Sequence, residues 1–485
     1  MSDRIYKLSS YVRTVLDSES GAAMVYHSLY GNPRIVNREG LDFLSLFKNP
    51  ITISRALDDC DGDPSDVINE FSEIFFLIEP GFDEKKFLQQ QREIRLLIVE
   101  SQKSVDRMGL AISDSCNFGC KHCIHFQQSS CSEKEILPTY QKSVTKLNMS
   151  FETAKNCVDH YIALMRAQGI KRCKIHFGNA EPLINWPVIE KVLCYCESMT
   201  DLTFDFAINT NLVLMTREIA SVFKKHKVRI ATSLDGLAKA NDAIRVTKGG
   251  QGTFDLILEK FDLLNEVGYP LDGFSITVTN GNFELVDTDI IDLATERGMT
   301  SIAFDYDLIA LVGISTGERV EKLMRLKRYA NERGIDFFGT WDSAFRNLTG
   351  GNLLLESRSF CAAVEGKSLE FNVDGSIKVC SHATSQIGHV DQFDQIFQKE
   401  GKLLKLVNER FPGADQCCYG CILEGLCGGQ CHVTREVVSR LSKESGHNLF
   451  ADMCDFYRQV TRALAVDYIR SNGVTVASGR SVCGL

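Results

Sequence analysis

The chain has 485 residues, 44% of them hydrophobic and 24% charged, which is ordinary globular composition and enough length for two or three domains with sizeable cores. Its formal charge of -9 comes with no basic block, which argues against a nucleic-acid partner, and no long like-charge run marks a disordered tail. The opening MSDRIYKLSS lacks a basic-then-apolar leader, and the longest apolar stretches, such as IFFLI at 74–78, fall short of a bilayer span, so a cytosolic protein without a membrane partner is expected.

Residues 1–105 read as a small mixed unit, strands first and helices after. Alternating and aromatic runs in AAMVYHSLYG and PRIVNREGLDFLSLF precede Asp63-Pro64, an N-cap with proline in the first helical turn, which opens a helix through INEFSEIFF. The charged stretch EKKFLQQQREIR leads out of the unit. Over residues 106–345 strand and helix alternate six times. The strand candidates are GLAIS (109–113), CKIHF (173–177), TFDFAI (203–208), VRIATSL (228–234), GFSITV (273–278) and TSIAFDY (300–306). Helical patterns lie between them; in one, Phe151, Ala154, Val158, Tyr161 and Met165 recur at three- and four-residue steps on one face. Repeated βα units imply a parallel sheet, and six of them predict an α/β fold, a partial (β/α)6 TIM-like barrel with function at the C-terminal ends of its strands. Over residues 346–485 the alternation stops. Eight cysteines fall between 361 and 454, in segments rich in glycine and short of long apolar helices, a region that folds around metal, with a helix at the C-terminal end.

Eighteen cysteines are the outstanding feature of the composition. In a large chain of a reducing compartment they point to metal or catalysis rather than to a disulfide framework. Cys157, Cys173, Cys194 and Cys196 lie among apolar positions of predicted helices and strands and read as small core residues. Cys116, Cys120 and Cys123 differ: in SDSCNFGCKHCIHF they form C-x3-C-x2-C directly after the first barrel strand, with an exposed-looking basic pair, Lys121 and His122, before the third. Three thiolates in one short loop suit three corners of an iron-sulfur cube and leave one iron open, whereas structural zinc takes four protein ligands. The alternative is a zinc loop completed by His122 or His125.

This loop resembles the signature of the radical S-adenosylmethionine (SAM) enzymes, whose open iron binds the amino and carboxylate groups of SAM. FGNAEPLINW (177–186) resembles the family's Gly-Gly-Glu-Pro segment, which receives the SAM ammonium. INTNL (208–212) resembles its Thr-Asn-Gly segment near the ribose, and SLDGLAKANDAIR (233–245) with GGQGTF (249–254) a stretch of the peptide-modifying branch. The resemblance covers about 107–460 and implies Gly178, Asn179, Ala180, Glu181, Asn211, Ser233 and Arg245 as SAM-binding residues, Arg245 either pairing with the SAM carboxylate or forming a surface ion pair. Asn179, Ala180 and Leu212 stand where the family has glycines, and His122 where it has an aromatic.

The later cysteines resemble the SPASM extension of such enzymes, which houses two auxiliary 4Fe-4S clusters. The resemblance implies one cluster on Cys418, Cys421, Cys427 and Cys454, and another on Cys361, Cys380 and Cys431, its fourth corner filled by Cys417 or a non-cysteine group, or left open for a substrate thiolate. A single four-coordinate zinc in CYGCILEGLCGGQC is the alternative.

Residues 1–105, with Gly31 at a turn and FFLIEPGF near the end, look like the winged-helix-like domain that captures leader peptides by strand addition. The whole implies a radical SAM peptide maturase of ribosomally made natural products, with SAM, three 4Fe-4S clusters, a precursor peptide with leader, and an external one-electron donor such as flavodoxin or ferredoxin. Its expected action is hydrogen abstraction from a peptide residue, giving a thioether, a carbon-carbon crosslink or another oxidative modification. Two rivals are a sulfatase-maturing type that makes formylglycine and a metal-stabilised peptide binder without turnover. Ser381 after Cys380, where the former group has an aspartate base, weighs against the first.

Overall fold

β-branched and aromatic residues in the first part of the chain build two small antiparallel sheets. In the computed structural model, which describes residues 4–57, 65–123, 147–311, 313–350, 360–445 and 449–474, β1 (Ile5–Leu8) lies between β5 (Ile51–Thr52) and β6 (Leu77–Ile78). β2 (Val12–Leu16), β3 (Ala23–His27) and β4 (Gly31–Val36) form the other sheet, in that order. Gly31 opens β4 at φ 77°, and a Cβ there would stand 2.8 Å from the carbonyl of Leu348, so both its dihedral and its neighbour require glycine. Asp63-Pro64 lies outside the described residues. The helix expected through INEFSEIFF is Ser65–Glu73; Phe75, at φ 64°, falls past its end, and Phe76 is buried.

The six expected barrel strands are present as β7 (Arg107–Ala111), β8 (Arg172–Gly178), β9 (Thr203–Asn209), β10 (Arg229–Ala231), β11 (Gly273–Val278) and β12 (Ser301–Tyr306). β10 is shorter than VRIATSL because the chain leaves β9 after Ala231 and turns to β11, where the Ser275 N–H donates to Thr232 and the Leu234 N–H to Ser275. Two further parallel strands extend the sheet. β13 (Asp336–Phe338) pairs with β12, and β14 (Ser368–Phe371), from beyond the six units, pairs with β7. The order is therefore β14-β7-β8-β9-β10-β11-β12-β13, and among the described residues no pairing joins β13 to β14.

Alternation along the strands separates two faces. Phe371, Leu110, Phe177 and Ile208 share one register row and are buried under the outer helices. The helix Phe151–Ala167, capped by the Ser150 side chain, buries Ala154, Val158, Tyr161 and Met165 as its periodicity predicts. Cys157, Cys173 and Cys196 are buried core residues, but Cys194 is exposed, because positions two apart on a helix do not share a face.

β14 turns back through β15 (Ser376–Lys378) and β16 (Gly388–His389). The cysteine-rich segment holds more helix than its composition suggests: His432–Ser445 and Leu449–Asn472. The second is long because Met453, Phe456, Tyr457, Val460, Leu464 and Ile469 are buried along one stripe, and Arg470 pairs with Asp17 of the first unit at 2.8 Å. Among the described residues no helix is long and apolar enough to cross a membrane. Phe371 stacks on Phe393 at 6.2 Å and carries the β14 side of the outer core, so Phe371→Ala is expected to lower stability by about 3–5 kcal/mol in urea unfolding.

Candidate functional site

The cysteine loop after β7 is held by backbone pairing with the chain around Arg245. Gly119 N–H donates to Val246 at 2.8 Å, Lys121 N–H to Ile244 at 2.8 Å, and Phe118 bridges Thr247. The 233–254 stretch closes on itself to present that edge: the Asp242 carboxylate accepts the Thr253 and Phe254 N–H groups at 2.8 and 3.0 Å, and Asn241 accepts the Asp235 N–H at 3.1 Å. The glycines of GGQGTF have a physical role here, since a Cβ on Gly252 would collide with the Asp242 carboxylate.

Arg245 is buried, which removes the surface ion pair expected as one alternative. Its Nε and terminal nitrogen lie 2.9 and 2.8 Å from Asp235, and its other terminal nitrogen lies 3.8 Å from the Cys120 sulfur. His122, expected to be exposed, is enclosed between them: its Nε2 is 3.6 Å from Asp235 and 3.5 Å from Arg245, and burial lowers its pKa. A neutral ring between an aspartate and an arginine accounts for a polar residue in an aromatic's place. His125 lies outside the described residues.

The second barrel strand ends in Gly178, and the residues after it carry left-handed backbone, Asn179 at φ 70° and Ala180 at φ 44°. Leu212 has φ 67°. These are the positions where glycine was expected, so the backbone geometry is kept without the residue that adopts it freely. Asn179 compensates by side-chain bonds, its amide donating to the Ser113 carbonyl at 3.1 Å and to Asp114 at 2.6 Å, while its Oδ1 is buried without a partner.

Glu181 is fully buried and ties the β8 and β9 ends together. Its carboxylate accepts the Leu183 N–H at 3.0 Å, the Thr210 hydroxyl at 2.7 Å and the Asn211 N–H at 2.7 Å. Burial pushes its pKa up to about 7 against those three donors. The Asn211 amide reaches Asn117 at 2.7 Å and lies 3.7 Å from the Cys116 sulfur. Ser233 bridges Ser275 between β10 and β11.

The thiols gather in three sets. Burial pushes Cys116 up to about 12, and Glu181, Cys123 and Cys120 add to the shift. Cys380 is likewise raised to about 12 by burial, with Glu370, Cys431 and Cys361 adding; Cys418 is raised to about 12 by burial, with Asp415, Cys427, Cys421 and Cys454 adding. Cys116 thus has Cys120 and Cys123 as electrostatic neighbours, Cys380 has Cys361 and Cys431, and Cys418 has Cys421, Cys427 and Cys454. Cys417 is exposed on the loop of the last set. Among the described residues no three His, Cys, Asp or Glu side chains are close enough to hold a single metal ion. The donor chemistry fits clusters nonetheless: soft sulfur sets, backbone N–H groups aimed at sulfur (Phe118 to Cys116 and His382 to Cys380, both 3.4 Å), and beside the first set a buried orphan acceptor, Asn179 Oδ1, facing the demand of an ammonium.

Sequence reasoning missed Asp235, although it lies inside the SLDG stretch, and missed Arg410. Arg410 is buried and donates to the carbonyls of Gly428, Gly429 and Gln430, three successive left-handed residues between Cys427 and Cys431. Only the doubled glycine before Gln430 hinted that those carbonyls need a collector.

Two outcomes follow. In Glu181→Gln an N–H₂ group must face a backbone N–H, so stability is expected to fall by about 1–3 kcal/mol in urea unfolding. Ala180→Gly relieves a left-handed alanine and is expected to gain roughly 0.5–1 kcal/mol, read as a raised unfolding midpoint.

Residues 110–295 match the Radical SAM superfamily. Along nearly its whole length the chain is similar to the radical SAM cyclopropyl synthase TigE of Paramaledivibacter caminithermalis, 25% identical over 476 residues that cover 96% of each chain. Its fold is like that of anSMEcpe solved with bound AdoMet (TM-score 0.57, 15% identity, 75% of this chain and 99% of that one), a protein also solved with a Cp18Cys peptide. It is also like that of SuiB from Streptococcus suis bound to S-adenosylmethionine (TM-score 0.50, 14% identity, 88% and 96%). The thiol triad and much of the parallel barrel thus lie in a part of the chain that matches the Radical SAM superfamily, and the chain is similar end to end to a radical SAM enzyme.

Proposed function

We propose that this protein is a radical SAM peptide maturase that forms a crosslink within a precursor peptide, with a carbon-carbon bond, such as a cyclopropyl ring, as the leading product and a thioether as the other. The observation that carries this reading is the first thiol set: three cysteines rather than four, gathered at the C-terminal mouth of the barrel beside Glu181, Asn211 and Arg245. The end-to-end similarity to a cyclopropyl synthase favours the carbon-carbon outcome.

In this reading Cys116, Cys120 and Cys123 hold a 4Fe-4S cluster whose open iron takes SAM, and the pair supplies, when bound, a 5′-deoxyadenosyl radical able to remove hydrogen from an unactivated carbon. The chain's own residues prepare the place. Gly178, Asn179 and Ala180 turn their backbone at the end of β8, Asn179 offers its free Oδ1 to an ammonium, and Glu181 fixes the β8 and β9 ends relative to each other. Asn211 spans from Glu181 to Cys116, Ser233 holds the β10 end, and Arg245 places positive charge beside Cys120.

Residues 346–485 serve as a SPASM domain with two auxiliary clusters, one on Cys418, Cys421, Cys427 and Cys454 and one on Cys361, Cys380 and Cys431. Cys417 belongs with the first of these by position, which leaves the second with an open corner or a non-cysteine ligand. Residues 1–105 act as the leader-recognition unit ahead of the barrel at 106–345. Support comes from β2, an edge strand open to strand addition, and from a cleft of about 620 Å³ between this unit and the cysteine region, lined by Tyr11, Arg13, Arg92, Phe411 and Tyr419. A flavodoxin or ferredoxin in the cytosol is the electron source.

Anaerobic reconstitution tests the reading. The wild-type protein is expected to hold about twelve iron atoms and release deoxyadenosine from SAM, and the variant with Cys116, Cys120 and Cys123 changed to alanine about eight and no deoxyadenosine. Deoxyadenosine from that variant, or zinc in place of iron, would sink the proposal. With a peptide encoded beside the gene, mass spectrometry is expected to show the loss of two hydrogens.

A further inference from the structure

On β14 the side chains of Leu369 and Phe371 are fully buried in the outer core, so Glu370 between them points the other way, toward the barrel interior. Directly across on β7 is Gly109, and the carboxyl lies over that residue: a Cβ on Gly109 would collide with it. On the far side of Gly109 the same register row continues with His176 of β8 and Ala207 of β9. The His176 ring leans over Gly178, where an added Cβ would stand 2.8 Å from its Cε1, and its Nε2 lies 3.2 Å from Asn209 Oδ1. Glu370 and His176 thus flank a strand position with no side chain: the Glu370 carboxyl takes the space over Gly109, the His176 ring that over Gly178, and Ala207 next in the row adds only a methyl group. Both side chains are enclosed by protein yet keep accessible surface, as expected of residues lining an internal lumen.

Among the described residues Glu370 makes no hydrogen bond or ion pair, and burial alone pushes its carboxyl up to about 8. The nearby cations are committed elsewhere or stand apart. Arg107 and Lys174 pair with Asp106 at 2.8 and 3.1 Å, and Arg172 with Asp205 at 2.6 Å, all at the N-terminal end of the barrel. Arg229 is exposed at the start of β10 and Arg245 is paired with Asp235, while Lys378, opposite Glu370 in the β14–β15 register, has contacts of its own. His176 is neutral, its pKa lowered by burial. A second acid on the lumen side, Asp305 of β12, already accepts the N–H and hydroxyl of Thr340 at 2.7 and 2.6 Å. Among the described residues the Glu370 carboxyl, enclosed but still accessible, has no partner, and a carboxyl held in such a place favours one.

We propose that Glu370 anchors a subsite on the floor of the barrel for a basic group of the substrate, the amine of a lysine or the guanidine of an arginine in the peptide. This rests on the reading that the lumen receives a peptide. On binding, the carboxylate pairs with the cation, a charge-assisted contact strengthened by the enclosed site. Gly109 makes the room that the carboxyl occupies, and neutral His176 adds a polar neighbour without competing charge.

The test uses the reconstituted enzyme with SAM, titrated calorimetrically with n-butylamine and n-butylguanidine and with the neutral pentanamide. Wild type is expected to bind the two cations about tenfold more tightly than the amide, and Glu370→Gln to bind all three alike. Equal binding of cations and amide by wild type overturns the subsite, and so does discrimination retained in Glu370→Gln. Should that variant not fold, Asp305→Asn, which leaves the anchor in place, must keep the preference for cations. Deoxyadenosine release is followed in parallel: its absence counts against the catalytic reading, while the discrimination between cation and amide still decides the subsite.

Discussion

The site depends on a buried ion pair. Asp235 and Arg245 lie on opposite sides of a closed turn, and their contact at 2.8–2.9 Å fixes the stretch whose backbone pairs with the cysteine loop. Once the pair forms, a guanidinium stands beside Cys120 and His122 has a place between the two charges. Removing either partner leaves a buried charge uncompensated, a cost of about 3–5 kcal/mol, so the loop and its support stand or fall together. Asp235 also accepts the Thr277 N–H at 2.8 Å, which links this unit to β11 and therefore to the barrel wall.

A second constraint is conformational. Left-handed backbone at Asn179, Ala180 and Leu212 is disfavoured for residues with a Cβ, yet it persists where the strands deliver the chain to the site. Neighbouring bonds hold it: the Asn179 amide on Ser113 and Asp114, and the Glu181 carboxylate on Leu183, Thr210 and Asn211. Glu181 is largely spent on the protein itself, so its part in any ligand contact is shared with the backbone it holds. Local strain is tolerated because three segments, 113–114, 179–183 and 210–212, agree on one geometry.

The C-terminal region solves a different problem. Its thiols come from positions nearly a hundred residues apart, from Cys361 to Cys454, and short helices and left-handed turns alone do not gather them. The long helix Leu449–Asn472 brings Cys454 to Cys418, Cys421 and Cys427, and Arg410 clamps the carbonyls of the turn before Cys431. β14 then inserts this region into the barrel beside β7, which is how Glu370 comes to face the lumen.

Much of this was legible in the chain. Hydrophobic period marks strands and helices because burial acts on local pattern, so the six βα units and the face of Phe151–Ala167 follow from the sequence. The cysteine spacings mark metal chemistry because a short loop limits which thiols can meet. Pattern does not reveal pairing at a distance. That β14 adds to the barrel, that Arg245 is buried with His122 half-enclosed beside it, that Cys194 faces out, and that Asn179, Ala180 and Leu212 adopt glycine's conformation were settled by contacts between segments far apart in sequence. The sequence by itself determined the kind of chemistry and the local elements that carry it. Which charges are paired, and that Glu370 faces the lumen, only the tertiary structure decided, because an enclosed charge takes its state from the groups that the fold places around it.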